Sequence, residues 1–257
     1  MEPYFNNKVV MITGASSGIG RGLALELAKR GAKVGLVARR ADLLEEIARE
    51  IEANGGQALP LPGDVQNADS MKAVADKLAA GFGPVDILIA NAGIGATRHA
   101  AEMQAAEMTR VVNVNVIGVI NSVAAVVPSM VARRSGHLVA ISSLAAYRGL
   151  PKSAAYCGSK AAVSALFESL RLDLASKHID VTIIHPGFIK TPLTSGRGAK
   201  MPFLLELDDA VQRMANAIEK RRKRFSFPWQ LATIVRLGLI MPIKVYDQIS
   251  KANSFRE

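Results

Sequence analysis

Tyr156 and Lys160 lie four residues apart in the stretch Tyr156-Cys157-Gly158-Ser159-Lys160. On a helix that spacing puts both side chains on one face, where a lysine ammonium can stabilise a tyrosinate. A phenol with a pKa of about 10 works as a general acid or base only when a neighbouring positive charge lowers it towards working pH. Ser142 and Ser143 end the apolar run that precedes this stretch. Taken alone, the pair equally fits a half-buried tyrosine beside a solvated lysine, so its surroundings decide. Cys157 is turned about 100° from Tyr156 on a helix and reads as a packing residue. His99, His137, His178 and His185 show no metal-ligand spacing with Cys, Asp or Glu, and no metal is expected.

A second chemical signal is Thr13-Gly14-Ala15-Ser16-Ser17-Gly18-Ile19-Gly20, which follows the first apolar run and opens the first helical stretch. Gly14, Gly18 and Gly20 allow a tight turn and close backbone approach. The amides at the helix start, from Gly18 and Ile19 onward, can then face a pyrophosphate, while Ser16 and Ser17 add hydroxyl donors. The spacing G-x-x-x-G-x-G departs from the commoner G-x-G-x-x-G turn. The second apolar run ends Ala38-Arg39-Arg40, where a dinucleotide fold places the group that meets the adenosine ribose. A carboxylate there would bond the free 2′-hydroxyl of NAD; a guanidinium suits the 2′-phosphate of NADP. Arg39, and more weakly Arg40, therefore point to NADP.

The elements that must position these groups alternate. Short β-branched runs at residues 8–13, 33–38, 57–61, 85–90, 137–142 and 180–185 are separated by segments rich in Ala, Leu, Glu and Lys at helical spacing. Six parallel strands with crossover helices on both faces, a Rossmann-like doubly wound α/β sheet, satisfy this pattern. Asp42 with Glu45 three residues on reads as a capping box, and residues 99–134 and 152–178 read as long helical stretches. With no linker-like break before about residue 190, residues 1–257 read as one dinucleotide-binding catalytic domain, and residues 192–257 as a substrate lid and C-terminal extension of it.

Composition agrees. The chain has 257 residues, 49% hydrophobic and 21% charged, as a globular protein with a substantial core requires. Nothing before the first strand resembles a secretory signal, and a single cysteine forms no internal disulfide, so a cytoplasmic protein is expected. The net charge of +10 is uneven: residues 220–257 hold nine Lys/Arg against Asp247 and Glu257. Charge alone does not choose among nucleic acid, anionic lipid and an anionic substrate; no nucleic-acid role is expected. The longest apolar run of the tail, 237–243, is far short of the ~20 residues that span a bilayer, and no transmembrane helix is expected.

Asn91-Ala92-Gly93, Asn115-Val116-Ile117-Gly118 and Pro186-Gly187, with the glycine turn and the Tyr-Lys pair, resemble the short-chain dehydrogenase/reductase family over about residues 8–191. The resemblance implies a catalytic tetrad of Asn115, Ser143, Tyr156 and Lys160. Tyr156 would exchange a proton with the substrate oxygen and Ser143 would hydrogen-bond that oxygen. Lys160 would bond the nicotinamide ribose and lower the tyrosine pKa, and Asn115 would hold a water. Ser143, thirteen residues before the tyrosine, is preferred to Ser142. Asp64 and Val65 would meet the adenine, Asn91, Ala92 and Gly93 would line the cofactor groove, Ile189 and Thr191 would hold the carboxamide and phosphate side, and Pro186 and Gly187 would also bind the cofactor.

The implied activity is a carbonyl reductase or alcohol dehydrogenase acting on CH-OH groups with NADP(H), in a homodimer or homotetramer. A non-catalytic NADP(H) sensor or scaffold is the alternative; a Rossmann-like methyltransferase has no need of the Tyr-Lys pair. Phe188, Leu193, Met201, Phe203, Leu204 and Leu205 suggest an apolar lid, with Ile94, Leu144 and Tyr147 lining a pocket for a hydrophobic ketone or alcohol. The apolar-basic tail, 225–246, fits peripheral membrane contact. Packing against the lid or a second subunit is favoured, because Pro242 and the mixed pattern give no clean amphipathic face.

Overall fold

The computed structural model describes residues 3–195 and 201–252. Seven strands, β1 (Val9–Thr13), β2 (Lys33–Ala38), β3 (Gln57–Pro62), β4 (Ile87–Ala90), β5 (Gly136–Ile141), β6 (Ile179–Pro186) and β7 (Arg224–Phe227), form one parallel sheet in the order β3-β2-β1-β4-β5-β6-β7. The sequence predicts six sheet strands and a short strand-like Phe225-Ser226-Phe227; that segment, extended by Arg224, is the seventh strand and pairs with β6 from Ile183 to Pro186. Only the neighbouring edge makes so brief a segment a sheet strand, because an isolated strand of four residues has nowhere to place its backbone donors.

Helices cover both faces, as a parallel sheet demands. Alternation within β1 shows the division: Val10 and Ile12 join the core beneath α1 (Gly18–Lys29), α2 (Ala41–Ala53) and α7 (Leu207–Glu219). Val9 and Met11 join the opposite core, beneath α3 (Ala68–Phe82), α5 (Gly118–Arg133) and α6 (Ala154–Leu174). Each buried aliphatic side chain contributes about 1.5–3 kcal/mol.

Local expectations need correction in two places. Asp42 and Glu45 form no capping box. Arg40 occupies the N-cap without a side-chain cap bond, α2 begins at Ala41, and Asp42 lies in the first turn, where its charge complements the helix dipole. Residues 99–134 are not one helix: a short 3-10 turn at Ala100–Glu102 precedes α4 (Ala105–Val112), a π-helical turn (Asn113–Ile117) and α5. The continuous helical run 105–133 is long and apolar enough to cross a bilayer by length and composition. Val111, Val119, Val123, Val126 and Met130 on it are instead buried in the protein.

The sheet order reverses direction at β1, with β2 on one side and β4 on the other. In open α/β sheets that reversal opens a crevice beyond the carboxyl ends of the strands. The tail after β7 forms α8 (Trp229–Ile240) and α9 (Ile243–Ala252), separated at Pro242, where proline ends the helical hydrogen bonding. Residues 196–200 of the expected lid loop, and Arg256 and Glu257 of the tail, lie outside the described residues.

Candidate active site

A cleft of about 350 Å³ runs along the carboxyl edge of the sheet. Gly14, Ser16, Ser17, Gly18, Ile19, Arg39, Arg40, Asp64, Val65, Asn91, Ala92, Gly93, Ser143, Tyr156, Lys160, Pro186, Gly187, Ile189 and Thr191 all line it. Gly20 stands behind the turn, and its lack of a side chain is structural: a Cβ there would lie 2.2 Å from the Gly14 carbonyl oxygen. Gly14 itself has φ +69, and a Cβ on it would lie 2.8 Å from the Ala92 Cα, so only glycine brings the β1 turn this close to the loop after β4. Asn91 secures that approach. Its Nδ2 donates to the Thr13 carbonyl at 2.9 Å, and its backbone N–H donates to Thr13 Oγ1 at 3.0 Å.

At the far end of the turn, Arg40 Nη2 donates to Ser16 Oγ at 2.9 Å, so the end of β2 is tied to the helix start. Asp64 closes its own turn, its Oδ1 accepting from the Gln66 amide at 3.0 Å, and Val65 offers its carbonyl to Asn121 Nδ2 at 2.9 Å. Glycine amides, serines and two guanidiniums ranged along one groove fit the pyrophosphate and sugar of a nicotinamide dinucleotide.

The candidate tetrad gathers around the start of α6. Tyr156 and Lys160 sit one turn apart, with Lys160 Nζ 5.9 Å from the Tyr156 ring centroid. Lys160 is buried, and Nζ donates to the Ile141 carbonyl at the end of β5 at 2.9 Å. Burial penalises the ammonium and lowers its pKa from 10.5 to about 8. Ser143 Oγ accepts from the Ala145 amide at 3.1 Å, which leaves its O–H to donate elsewhere. Ser142 is spent on structure: its Oγ donates to the Lys160 carbonyl at 3.0 Å and pairs with Ser164 Oγ at 2.9 Å.

Asn115 does not line the cleft. It is fully buried in the π-helical turn, its Nδ2 donating to the Ile94 carbonyl at 3.0 Å and to Ser159 Oγ at 2.9 Å, while Oδ1 accepts from the Ile94 amide at 2.8 Å. The wider turn re-aims one side chain without ending the helix. Asn115 Oδ1 and Lys160 Nζ nevertheless face a common point, each 3.4 Å from where a Cβ of Gly93 would stand.

Other expectations divide. Ile94 and Leu193 line the cleft, but Leu144 and Tyr147 do not. Leu144 is buried, and Tyr147 turns its ring to His185, centroids 4.9 Å apart, and its hydroxyl to Ser226 Oγ at 3.0 Å. Of the lid, Ile189 bridges to Leu205, which packs onto the core, whereas Phe203 and Leu204 are exposed. Residue types alone did not single out Arg110 and Val114, which also line the cleft. Their four-residue spacing along the helical run was the available signal. Cys157 is buried, and burial raises its thiol pKa. No cluster of metal-ligating side chains exists among the described residues.

A family model described as short chain dehydrogenase matches residues 8–202. An uncharacterized oxidoreductase of Myxococcus xanthus (strain DK1622) is 41% identical over 244 residues, 95% of this chain and 96% of that protein. Two solved structures share the fold at 26% identity. A short chain dehydrogenase/reductase from Burkholderia phymatum in complex with NAD has TM-score 0.85, covering 99% of this chain and 98% of that one. A short-chain type dehydrogenase/reductase from Mycobacterium marinum has TM-score 0.82, covering 94% and 99%.

Proposed function

This chain belongs to the short chain dehydrogenase family, a family of oxidoreductases, and we propose that it interconverts a carbonyl and a secondary alcohol on a hydrophobic substrate using NADP(H). The observation that carries this reading is the position of Tyr156 and Lys160, one helical turn apart on α6 and lining the same cleft as the Gly14–Gly18 turn. The chemistry a bound nicotinamide supplies there is hydride transfer.

The residues supply the proton and the charge. In the reducing direction the Tyr156 hydroxyl gives its proton to the substrate oxygen, and the Ser143 O–H donates a hydrogen bond to that oxygen as negative charge grows on it. Lys160, the cation beside the phenol, stabilises the resulting tyrosinate. Asn115 Oδ1 and Lys160 Nζ hold a water in the space beside Gly93, through which the lysine exchanges protons with solvent. Ile94, Val114, Ile189 and Leu193 give the cleft apolar walls suited to a hydrophobic substrate.

NADP rather than NAD is supported by charge. The end of β2 carries Arg39 and Arg40 and no carboxylate, and both guanidiniums line the cleft where a 2′-phosphate would sit. The test is nicotinamide turnover with NADPH and NADH against ketones, aldehydes and secondary alcohols. Tyr156→Phe is expected to lower kcat by about 10²–10⁴ while cofactor binding persists. Arg39→Ala is expected to raise the KM for NADPH about tenfold or more, the loss of one charge-assisted bond, and to leave NADH nearly unaffected. Failure of both cofactors to bind, or full turnover by Tyr156→Phe, would sink the reading.

A further inference from the structure

The outward face of α8 is apolar where a surface helix should be polar. Trp229, Thr233, Arg236, Leu237 and Ile240 share that face by helical spacing, and Trp229 is 70% and Ile240 82% exposed. The inward residues Ala232 and Gly238 are buried, so α8 is apolar nearly all round. Such a helix belongs in the interior of a protein or in lipid. At α9 the pattern continues with Ile243, 71% exposed, Val245 and Ile249. Among the described residues, nothing covers Trp229, Ile234, Leu237, Leu239 and Ile240, all of which are exposed.

These helices lie at the mouth of the cleft. Because the sheet is parallel, the loops after β5, β6 and β7 all emerge at its carboxyl edge. Arg148, five residues after Ser143, holds the tail there: its Nη1 donates to the Gly238 carbonyl and to the Met241 carbonyl at 3.3 Å, and its guanidinium stacks 3.7 Å over the Tyr246 ring. Tyr246 in turn donates its hydroxyl proton to the Gly149 carbonyl at 2.6 Å. On the inner side, Leu231 and Pro228 occupy the space that a side chain on Gly187, itself a cleft residue, would fill. Exposed Leu150, Leu193, Phe203 and Leu204 extend the apolar rim along the same edge.

We propose that α8 and α9 form a docking surface for an anionic lipid bilayer, which sets the carboxyl edge and the mouth of the substrate cleft against the membrane. Charge selects this occupant. Lys244 stands among the apolar side chains, with Asp247 the acid of the two helices; Arg236, whose guanidinium donates to Ser226 Oγ at 3.3 Å, and Arg148 and Lys152 on the adjoining loop add positive charge. A net charge of +10 favours an anionic surface. A second copy docked through the same patch would bring two net-positive surfaces together, because a twofold interface pairs a patch with itself. At twelve residues α8 is about 18 Å long, enough to enter one leaflet and too short to cross both. Within the proposed function, this geometry draws the hydrophobic carbonyl or alcohol from the lipid phase.

Trp229, the sole tryptophan, reports on this surface directly. The full chain is mixed with vesicles of phosphatidylcholine alone or with phosphatidylglycerol, and followed by Trp229 emission, co-sedimentation and light scattering. The expected result is a blue-shifted Trp229 and co-sedimentation with the anionic vesicles, reversed by salt. Ile240→Asp and Leu237→Asp should each weaken partitioning by about tenfold or more, the loss of one buried aliphatic side chain, with circular dichroism and cofactor binding unchanged. Unshifted Trp229 emission with protein left in the supernatant would overturn the proposal. So would a halving of the solution mass by Ile240→Asp, which would identify a second copy as the occupant. Membrane binding is read without turnover, so its failure leaves the proposed reaction standing, and inactivity leaves the docking surface standing.

Discussion

Asn115 and Ile94 bond each other in both directions: the Asn115 carboxamide accepts from the Ile94 amide at 2.8 Å and donates to the Ile94 carbonyl at 3.0 Å. The pair joins the π-helical turn to the loop after β4, and through Ser159, whose Oγ donates to the Tyr156 carbonyl at 2.8 Å, to the start of α6. One buried side chain thus aligns three elements that meet at the cleft.

Asn115→Ala removes all three of these bonds and strands buried partners. It is expected to cost about 1–3 kcal/mol in a urea melt. In turnover assays it should lower kcat more than it raises the cofactor KM, because the cleft wall it supports is the one nearest Lys160.

The second prediction concerns Lys160, whose buried ammonium has a pKa of about 8 against 10.5 when exposed. Between those values the unfolded chain binds more protons than the folded one, so this group makes stability rise with pH. Below pH 8 both states are protonated and the full penalty of burying the charge applies. The difference amounts to about 3 kcal/mol at most. Lys160→Met removes the penalty. Relative to that variant, the wild type should gain stability as pH rises from 8 to about 10.5, measured by denaturant titration at each pH. A pH-independent gap would show that the ammonium is not desolvated. Turnover by the variant should be nearly lost at every pH.

Acid should unfold the protein through two histidines. His137 is buried between the Tyr4 hydroxyl and Thr182 Oγ1, each 2.8 Å away, and burial lowers its pKa to about 3. His185 pairs with Ser164 Oγ through Nε2 at 3.1 Å, while its buried Nδ1 has no hydrogen-bond partner; burial lowers its pKa to about 4. Both stay neutral when folded and take up protons when unfolded below about 6.5. Stability should therefore be complete above pH 6.5 and fall, by about 1.4 kcal/mol per pH unit for each histidine, down to pH 4. Replacing His137 by Gln should flatten this slope in thermal melts.

Local pattern determined much of this molecule before any contact was considered. A glycine turn after an apolar run, a tyrosine and lysine one helical turn apart, and arginines in place of an acid after β2 are all short-range facts. They follow from backbone periodicity and side-chain chemistry, and these residues line one cleft. Tertiary structure decided what depends on distant partners. It brought the strand-like residues 225–227, extended by Arg224, into the sheet by offering them the edge of β6. It tied up the Ser142 hydroxyl on the Lys160 carbonyl and Ser164 of α6, and it drew Tyr147 away from the cleft to Ser226, 79 residues along the chain. It also left α8 apolar face outward, pinned beside the cleft by Arg148, 90 residues before Gly238. Helical periodicity marks which residues share a face; only packing determines whether that face meets protein or solvent.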